Sequence, residues 1–311
     1  MKPTENIAVI DVGSNTLRLL IGNLEENKIN RHYSARVVTR LGKNIVKNGF
    51  LSDEAIKKSI NTLKKFKKLS EKFKVSRIIA VGTSALREAK NSRYFCEKIK
   101  DITGINIHII SGQKEAYYTL CGVMEQHFTK KDSVFIVDIG GGSTEWIYWN
   151  RQQFKFGSLN LGALKIREKY LNIEPYSNES VIEAEKFIEK EIREITPKKK
   201  IDKFIAIGGT ASTLAMISLK ISKYSPEKTH MTEISTNSIK AILQKLISIS
   251  LEERKKIKGL PFDRADIICC GLLILEKILE HLRVEKVKIS ENGLLEGVMK
   301  KNKDFCYNGL L

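Results

Sequence analysis

Ile7-Ala-Val-Ile-Asp11-Val-Gly13-Ser-Asn-Thr16 is echoed by Val134-Phe-Ile-Val-Asp138-Ile-Gly140-Gly-Gly-Ser143, and this repeat decides the fold. Each is an apolar, strand-forming run closed by D-x-G-x-x-[ST], with a glycine where the chain must turn tightly. A second pair, Arg77-Ile-Ile-Ala-Val81-Gly82-Thr83-Ser84 and Phe204-Ile-Ala-Ile207-Gly208-Gly209-Thr210, lies 126 residues apart, against 127 for the first. Two motifs at one separation predict two homologous α/β domains. A third pair, Ile107-His-Ile-Ile110-Ser111-Gly112 and Val287-Lys-Ile289-Ser290, is offset by 179 residues, which predicts an insertion in the second half. The insertion is expected between Ala215 and Arg264, with a helix over Thr236 to Lys256. After each D-x-G turn, Leu17 to Asn23 and Glu145 to Trp149 read as the returning strand of a hairpin. Each half is therefore expected to be a mixed sheet flanked by helices. Residues 1–121 are expected to form the first domain and 122–311 the second, which carries the helical insertion. Facing halves would bring both D-x-G turns to an interdomain cleft, a common place for ligand sites.

The chain has 311 residues, 42% of them hydrophobic, enough for two ordinary cores. Its longest apolar stretch, Ile267 to Leu275, is interrupted by Gly271 and too short to span a bilayer. A strand-like run begins at Ile7 and leaves no room for a signal peptide, so a cytoplasmic location is expected. Cys96, Cys121, Cys269, Cys270 and Cys306 show no C-x-x-C spacing and read as reduced thiols. Five scattered histidines offer no metal motif, which leaves oxygen ligands for any metal chemistry. The formal net charge of +18 favours an acidic partner. Between Lys57 and Lys74 stand eight lysines and one glutamate, Glu71, while Ile56, Ile60, Leu63, Phe66, Leu69 and Phe73 recur at helical spacing. This predicts an amphipathic helix with a basic outer face.

Further motifs follow in order: Arg40-Leu-Gly42, Gly82-Thr-Ser-Ala-Leu-Arg87-Glu-Ala, Ser111-Gly-Gln-Lys-Glu115-Ala116, Asp138-Ile-Gly-Gly-Gly-Ser-Thr-Glu145, Arg264-Ala-Asp266 and Gly293-Leu-Leu-Glu-Gly297. With these the chain resembles the actin, Hsp70 and sugar-kinase superfamily, most closely its exopolyphosphatase and guanosine pentaphosphate phosphohydrolase (Ppx/GppA) branch. The resemblance implies an α/β fold of two duplicated ribonuclease H-like, actin-like ATPase domains. It also implies a homodimer. Two positions depart from the pattern: Lys114 replaces the first acid of S-G-x-E-E-A, and Leu295 stands where arginine is usual. Glu115 aligns with the second acid, which implies that it is the catalytic general base.

Phosphoryl transfer needs charge neutralisation, backbone donors and a placed nucleophile. Asp138 and Glu145 can flank one Mg²⁺, or another divalent cation, with Asp11 contributing through water. Gly140, Gly141, Gly142, Ser143 and Thr144 are candidates to bind phosphate through turn N–H and hydroxyl groups, and Ser14 and Asn15 would do so in the other half. The Gly208-Gly209-Thr210 turn is a further candidate. Arg87, Arg264 and Arg18 carry guanidinium forks that match phosphate oxygens. The expected reaction is release of terminal orthophosphate from inorganic polyphosphate, with no membrane or specific nucleic-acid partner. Alternatives are guanosine pentaphosphate or tetraphosphate as the nucleotide ligand, an actin- or Hsp70-like ATPase or sugar kinase, and a non-catalytic sensor of alarmone or polyphosphate.

Overall fold

The computed structural model describes residues 5–26, 28–127, 132–150, 153–197 and 200–302, which form two compact units. One comprises residues 1–126 and 292–311, the other residues 127–291.

The first unit opens with β1 (Ile7–Val12), β2 (Thr16–Glu25) and β3 (Lys28–Val38), a meander that extends the expected hairpin by one strand. After α1 (Ile45–Asn48) comes α2 (Asp53–Lys72), then β4 (Arg77–Gly82), α3 (Ser84–Glu88), α4 (Ser92–Thr103), β5 (Ile107–Ile109) and α5 (Gly112–His127). The sheet order is β3-β2-β1-β4-β5, with β1 antiparallel to β2 and parallel to β4. Strand β1 is buried on both faces, so it reads as continuous apolar sequence. Ala8, Ile10 and Val12 meet Ile56, Ile60, Leu63 and Phe66 of α2, while Ile7 and Val9 join a separate core on the other face. Helix α2 begins at Ser52, whose side chain accepts from the Ala55 N–H. Lys57, Lys58, Lys64, Lys65, Lys68 and Lys72 are exposed on the outer side, as the periodicity predicts.

The second unit repeats the plan with β6 (Val134–Ile139), β7 (Thr144–Asn150) and β8 (Gln153–Leu159). Then follow α6 (Ala163–Lys169), α7 (Asn178–Glu191), β9 (Lys203–Ile207) and α8 (Gly208–Ser218). The insertion holds α9 (Pro226–Thr229), β10 (Glu233–Ser235), α10 (Thr236–Ile247) and α11 (Leu251–Arg254). The single helix expected over Thr236 to Lys256 is thus two, because Ser250 starts a new one with a capping box to Glu253. Helix α12 (Ile268–Leu282) and β11 (Lys286–Ser290) complete the unit. Its sheet order is β10-β11-β9-β6-β7-β8. Without β10 it matches the first sheet strand for strand, so all three repeated sequence pairs fall on equivalent strands. Burial pushes the Cys269 thiol up to about 11 and Cys270 well above the usual thiol value. Among the described residues Cys96, Cys121, Cys269 and Cys270 form no disulfide; Cys306 lies outside the described residues.

Helix α13 (Leu294–Lys300) returns to the first unit, which differs from a second domain running to 311. It packs on β1 and β2, and Leu294, Leu295, Val298 and Met299 fill the core formed with Ile7, Val9 and Leu20. Leu295 is therefore a core residue, which accounts for an apolar side chain at that position. Arg31 ties to Glu296 at 2.6 Å, and Glu296 accepts the Gly293 N–H at 2.8 Å. At Gly297 the helix runs against α5 so closely that a Cβ would overlap the Tyr118 carbonyl. Since α5 carries Glu115, Gly297→Ala should destabilise the chain by about 1–3 kcal/mol through overpacking. It should also lower any activity that depends on Glu115. Denaturant melts of both proteins check the first effect, and an unchanged midpoint would contradict it.

Candidate active site

In the first unit, the β1–β2 turn is closed by Gly13 N–H donating to the Thr16 carbonyl at 3.2 Å. The Ser14 carbonyl accepts from Gly42 N–H at 2.7 Å, and the Asn15 carbonyl from Thr39 and Arg40 N–H at 3.0 and 2.9 Å. This gives the Arg40-Leu-Gly42 motif its work: it ties down the turn's carbonyls. The Ser14 hydroxyl accepts the Ala85 N–H at 3.1 Å, joining the turn to the loop that leads into α3. Ser14 and Asn15 are both buried.

Arg87 on α3 donates to the Glu115 Oε2 at 2.7 Å and to the Ile110 carbonyl at 3.0 Å. Glu115 lies in the first turn of α5 and is 8% exposed. The expected base and one expected phosphate-binding arginine are thus direct partners. Lys114, half-buried, donates its backbone N–H to the Ser111 hydroxyl.

The most informative comparison lies within the chain. Asp11 on β1 faces Arg18 on β2, whereas Asp138 on β6 faces Glu145 on β7. In the first hairpin the pair is an ion pair, with Arg18 Nε and Nη2 at 2.8 and 2.7 Å from Asp11 Oδ2. Asp11 Oδ1 is buried and among the described residues has no hydrogen-bond partner. In the second hairpin two carboxylates stand opposite each other, an arrangement that costs stability unless a cation intervenes. Glu145 is 2% exposed and accepts from the Ser158 hydroxyl at 2.7 Å.

The second turn copies the first. Gly140 N–H donates to the Ser143 carbonyl at 3.0 Å, so that N–H is taken up within the turn and is not a phosphate donor. The Gly140 and Gly141 carbonyls accept from Ala163 and Leu164 N–H at 2.9 and 2.8 Å. Among the described residues the Gly141 and Gly142 N–H groups have no protein acceptor, which suits them to an anion. The Thr144 hydroxyl donates to the Leu161 carbonyl at 2.6 Å and so braces the turn from behind. Leu161-Gly162 thus plays the part of Leu41-Gly42. A Leu-Gly dipeptide after each hairpin is the sequence trace of this brace.

At the β9–α8 junction Gly208 has φ +79, and a Cβ there would overlap Asp138 Oδ1. The absent side chain lets that carboxylate oxygen pack directly against the backbone. Thr210 Oγ1 donates to the Ile139 carbonyl at 3.4 Å. Arg264, 7% exposed, lies with its guanidinium against Gly209 at the start of α8. Asp266 next to it is held by Arg167, whose Nε donates to the Asp266 carbonyl at 3.0 Å.

Two opposed carboxylates fit a hard cation such as Mg²⁺, which prefers oxygen ligands and keeps several waters. Among the described residues no three His, Cys, Asp or Glu side chains are grouped to hold a metal ion.

The profile of the Ppx/GppA phosphatase family matches residues 21–304. The chain belongs to this family. A relative from Fusobacterium nucleatum, named bifunctional 3-dehydroquinate synthase/phosphatase, is 35% identical over 312 residues, covering 94% of this chain and 47% of that protein. This Ppx/GppA chain therefore spans about half the length of that relative. Exopolyphosphatase 2 of Mycobacterium tuberculosis is 23% identical over 308 residues, covering 94% of this chain and 97% of the relative. The crystal structure of the Aquifex aeolicus Ppx/GppA family member is 30% identical with a TM-score of 0.80, covering 99% of this chain and 100% of that one. The duplicated halves are thus those of the actin-like Ppx/GppA fold, and the family is one of hydrolases. Among the described residues no helix is long and apolar enough to cross a membrane.

Proposed function

We propose that this Ppx/GppA chain is an exopolyphosphatase that releases orthophosphate from the end of inorganic polyphosphate. The observation that carries this reading is the asymmetry of the two hairpins: Asp138 and Glu145 meet where the first hairpin has an ion pair. They would hold Mg²⁺, which neutralises phosphate charge when bound. Glu115 takes the proton from the attacking water, and Arg87 holds the Glu115 carboxylate in place. Asp11, with Arg18 fixing one oxygen, would offer Oδ1 as an acceptor to a water. In the second unit the Gly141 and Gly142 N–H groups, Ser143 and Arg264 would supply further donors for phosphate oxygens, and Ser14 would do so in the first.

Charge favours the polymer over the nucleotide. The net charge is +18, and among the described residues no ion pair engages the exposed lysines of α2. A long polyanion that contacts several lysines releases counterions, with a log–log salt slope of about −0.7 per phosphate neutralised, by analogy with single-stranded nucleic acid. Orthophosphate release from long-chain polyphosphate and from guanosine pentaphosphate, each measured across a range of salt, tests the assignment. The polymer should be the better substrate and show the steeper salt dependence of KM. Faster release from the nucleotide would make the chain a guanosine pentaphosphate phosphohydrolase, and stoichiometric binding without release would make it a sensor.

A further inference from the structure

Helices α7, α10 and α12 of the second unit enclose a pocket of about 450 Å³ that no part of the proposed reaction uses. Its size is that of a small-molecule site. Tyr176, Val181, Leu243, Ile247 and Leu273 form apolar walls, and Glu276 lines it from α12. Glu276 is 6% exposed, and among the described residues it makes no hydrogen bond and closes no ion pair. Burial pushes its carboxyl up, and the charges of Lys240 and Lys277 only partly offset this. The neighbouring charges are otherwise engaged. Lys277 reaches Glu189, Glu280 and Glu185 at 3.1, 3.3 and 3.4 Å, and Lys240 reaches Glu280 at 3.6 Å. A buried carboxylate without a partner is expensive to keep, and a ligand that supplies the missing cation recovers that cost.

We propose that this pocket binds a small organic cation, an amine on a short apolar body, with its nitrogen at Glu276. A bare metal ion does not suit the place, since among the described residues no three His, Cys, Asp or Glu side chains are grouped to hold one and part of the lining is apolar. An amine with an aliphatic chain matches both halves of the lining: the ammonium meets Glu276, and the chain lies against Leu243, Ile247 and Leu273. The site lies on the helix that begins two residues after Asp266, and none of its lining residues belongs to the turns assigned to phosphate.

Isothermal titration of the full chain with 1-aminopentane, and with 1-pentanol as the uncharged control, tests this. The amine should bind saturably and at least about tenfold more tightly than the alcohol, a difference of about 1.4 kcal/mol. Glu276→Gln, which keeps the shape, should weaken the amine to the level of the alcohol. Gln244→Trp at the exposed rim, where the fold is not at risk, should block both ligands. No saturable amine binding, equal affinity for amine and alcohol, or unchanged amine affinity in either variant would overturn the proposal.

Discussion

Glu115→Gln should leave the fold and the affinity for substrate intact while lowering orthophosphate release by about 10²-fold or more, the usual worth of a general base. Glutamine preserves the shape and can still accept from Arg87, which sits 2.7 Å from Glu115 Oε2. What disappears is the proton acceptor. The loss should fall on kcat, with KM nearly unchanged, because the interaction counts in the transition state and not in binding. A rise in KM at constant kcat would instead make Glu115 a binding residue, and full activity would remove it from the reaction.

The second large effect is expected from Asp138→Asn combined with Glu145→Gln. Both substitutions keep the side-chain size, and glutamine can still accept from the Ser158 hydroxyl. Two anionic ligands become neutral, so the Mg²⁺ concentration for half-maximal activity should rise by more than about tenfold, or about 1.4 kcal/mol of binding. Stability should move the other way. Without metal, the native hairpin sets like charges opposite each other, and removing them should stabilise the metal-free chain by about 0.2–1 kcal/mol. A purely structural pair would lose stability on substitution and leave the metal requirement alone. Thermal melts without Mg²⁺ and activity titrations with it separate the two cases.

Much of this architecture was legible because it is written twice. The strand-turn pairs at Asp11 and Asp138, and at Gly82 and Gly208, fixed the duplication, and every one of them lies at the end of a strand. The periodicity of Ile56, Ile60, Leu63 and Phe66 also named the buried side of α2. Hidden from the sequence were features that depend on long-range packing. The return of α13 to the first unit rests on its apolar side filling the core under β1, which no local pattern announces. The Arg87–Glu115 contact joins residues 28 positions apart on two helices. The opposition of Asp138 and Glu145 was assignable to a metal, but its contrast with Asp11 and Arg18 emerges only from strand register. The Leu-Gly braces behind both turns were present as a repeated dipeptide, too short to stand out against chance.

The most direct test of the central claim, attack of water on a terminal phosphoryl group, is hydrolysis of long-chain polyphosphate by the native chain in ¹⁸O-labelled water with Mg²⁺. The account predicts orthophosphate as the first product, each molecule carrying one labelled oxygen, while the polymer shortens from its end. Orthophosphate without label, phosphate transferred to a nucleotide or sugar instead of water, or a polymer cut internally would contradict it.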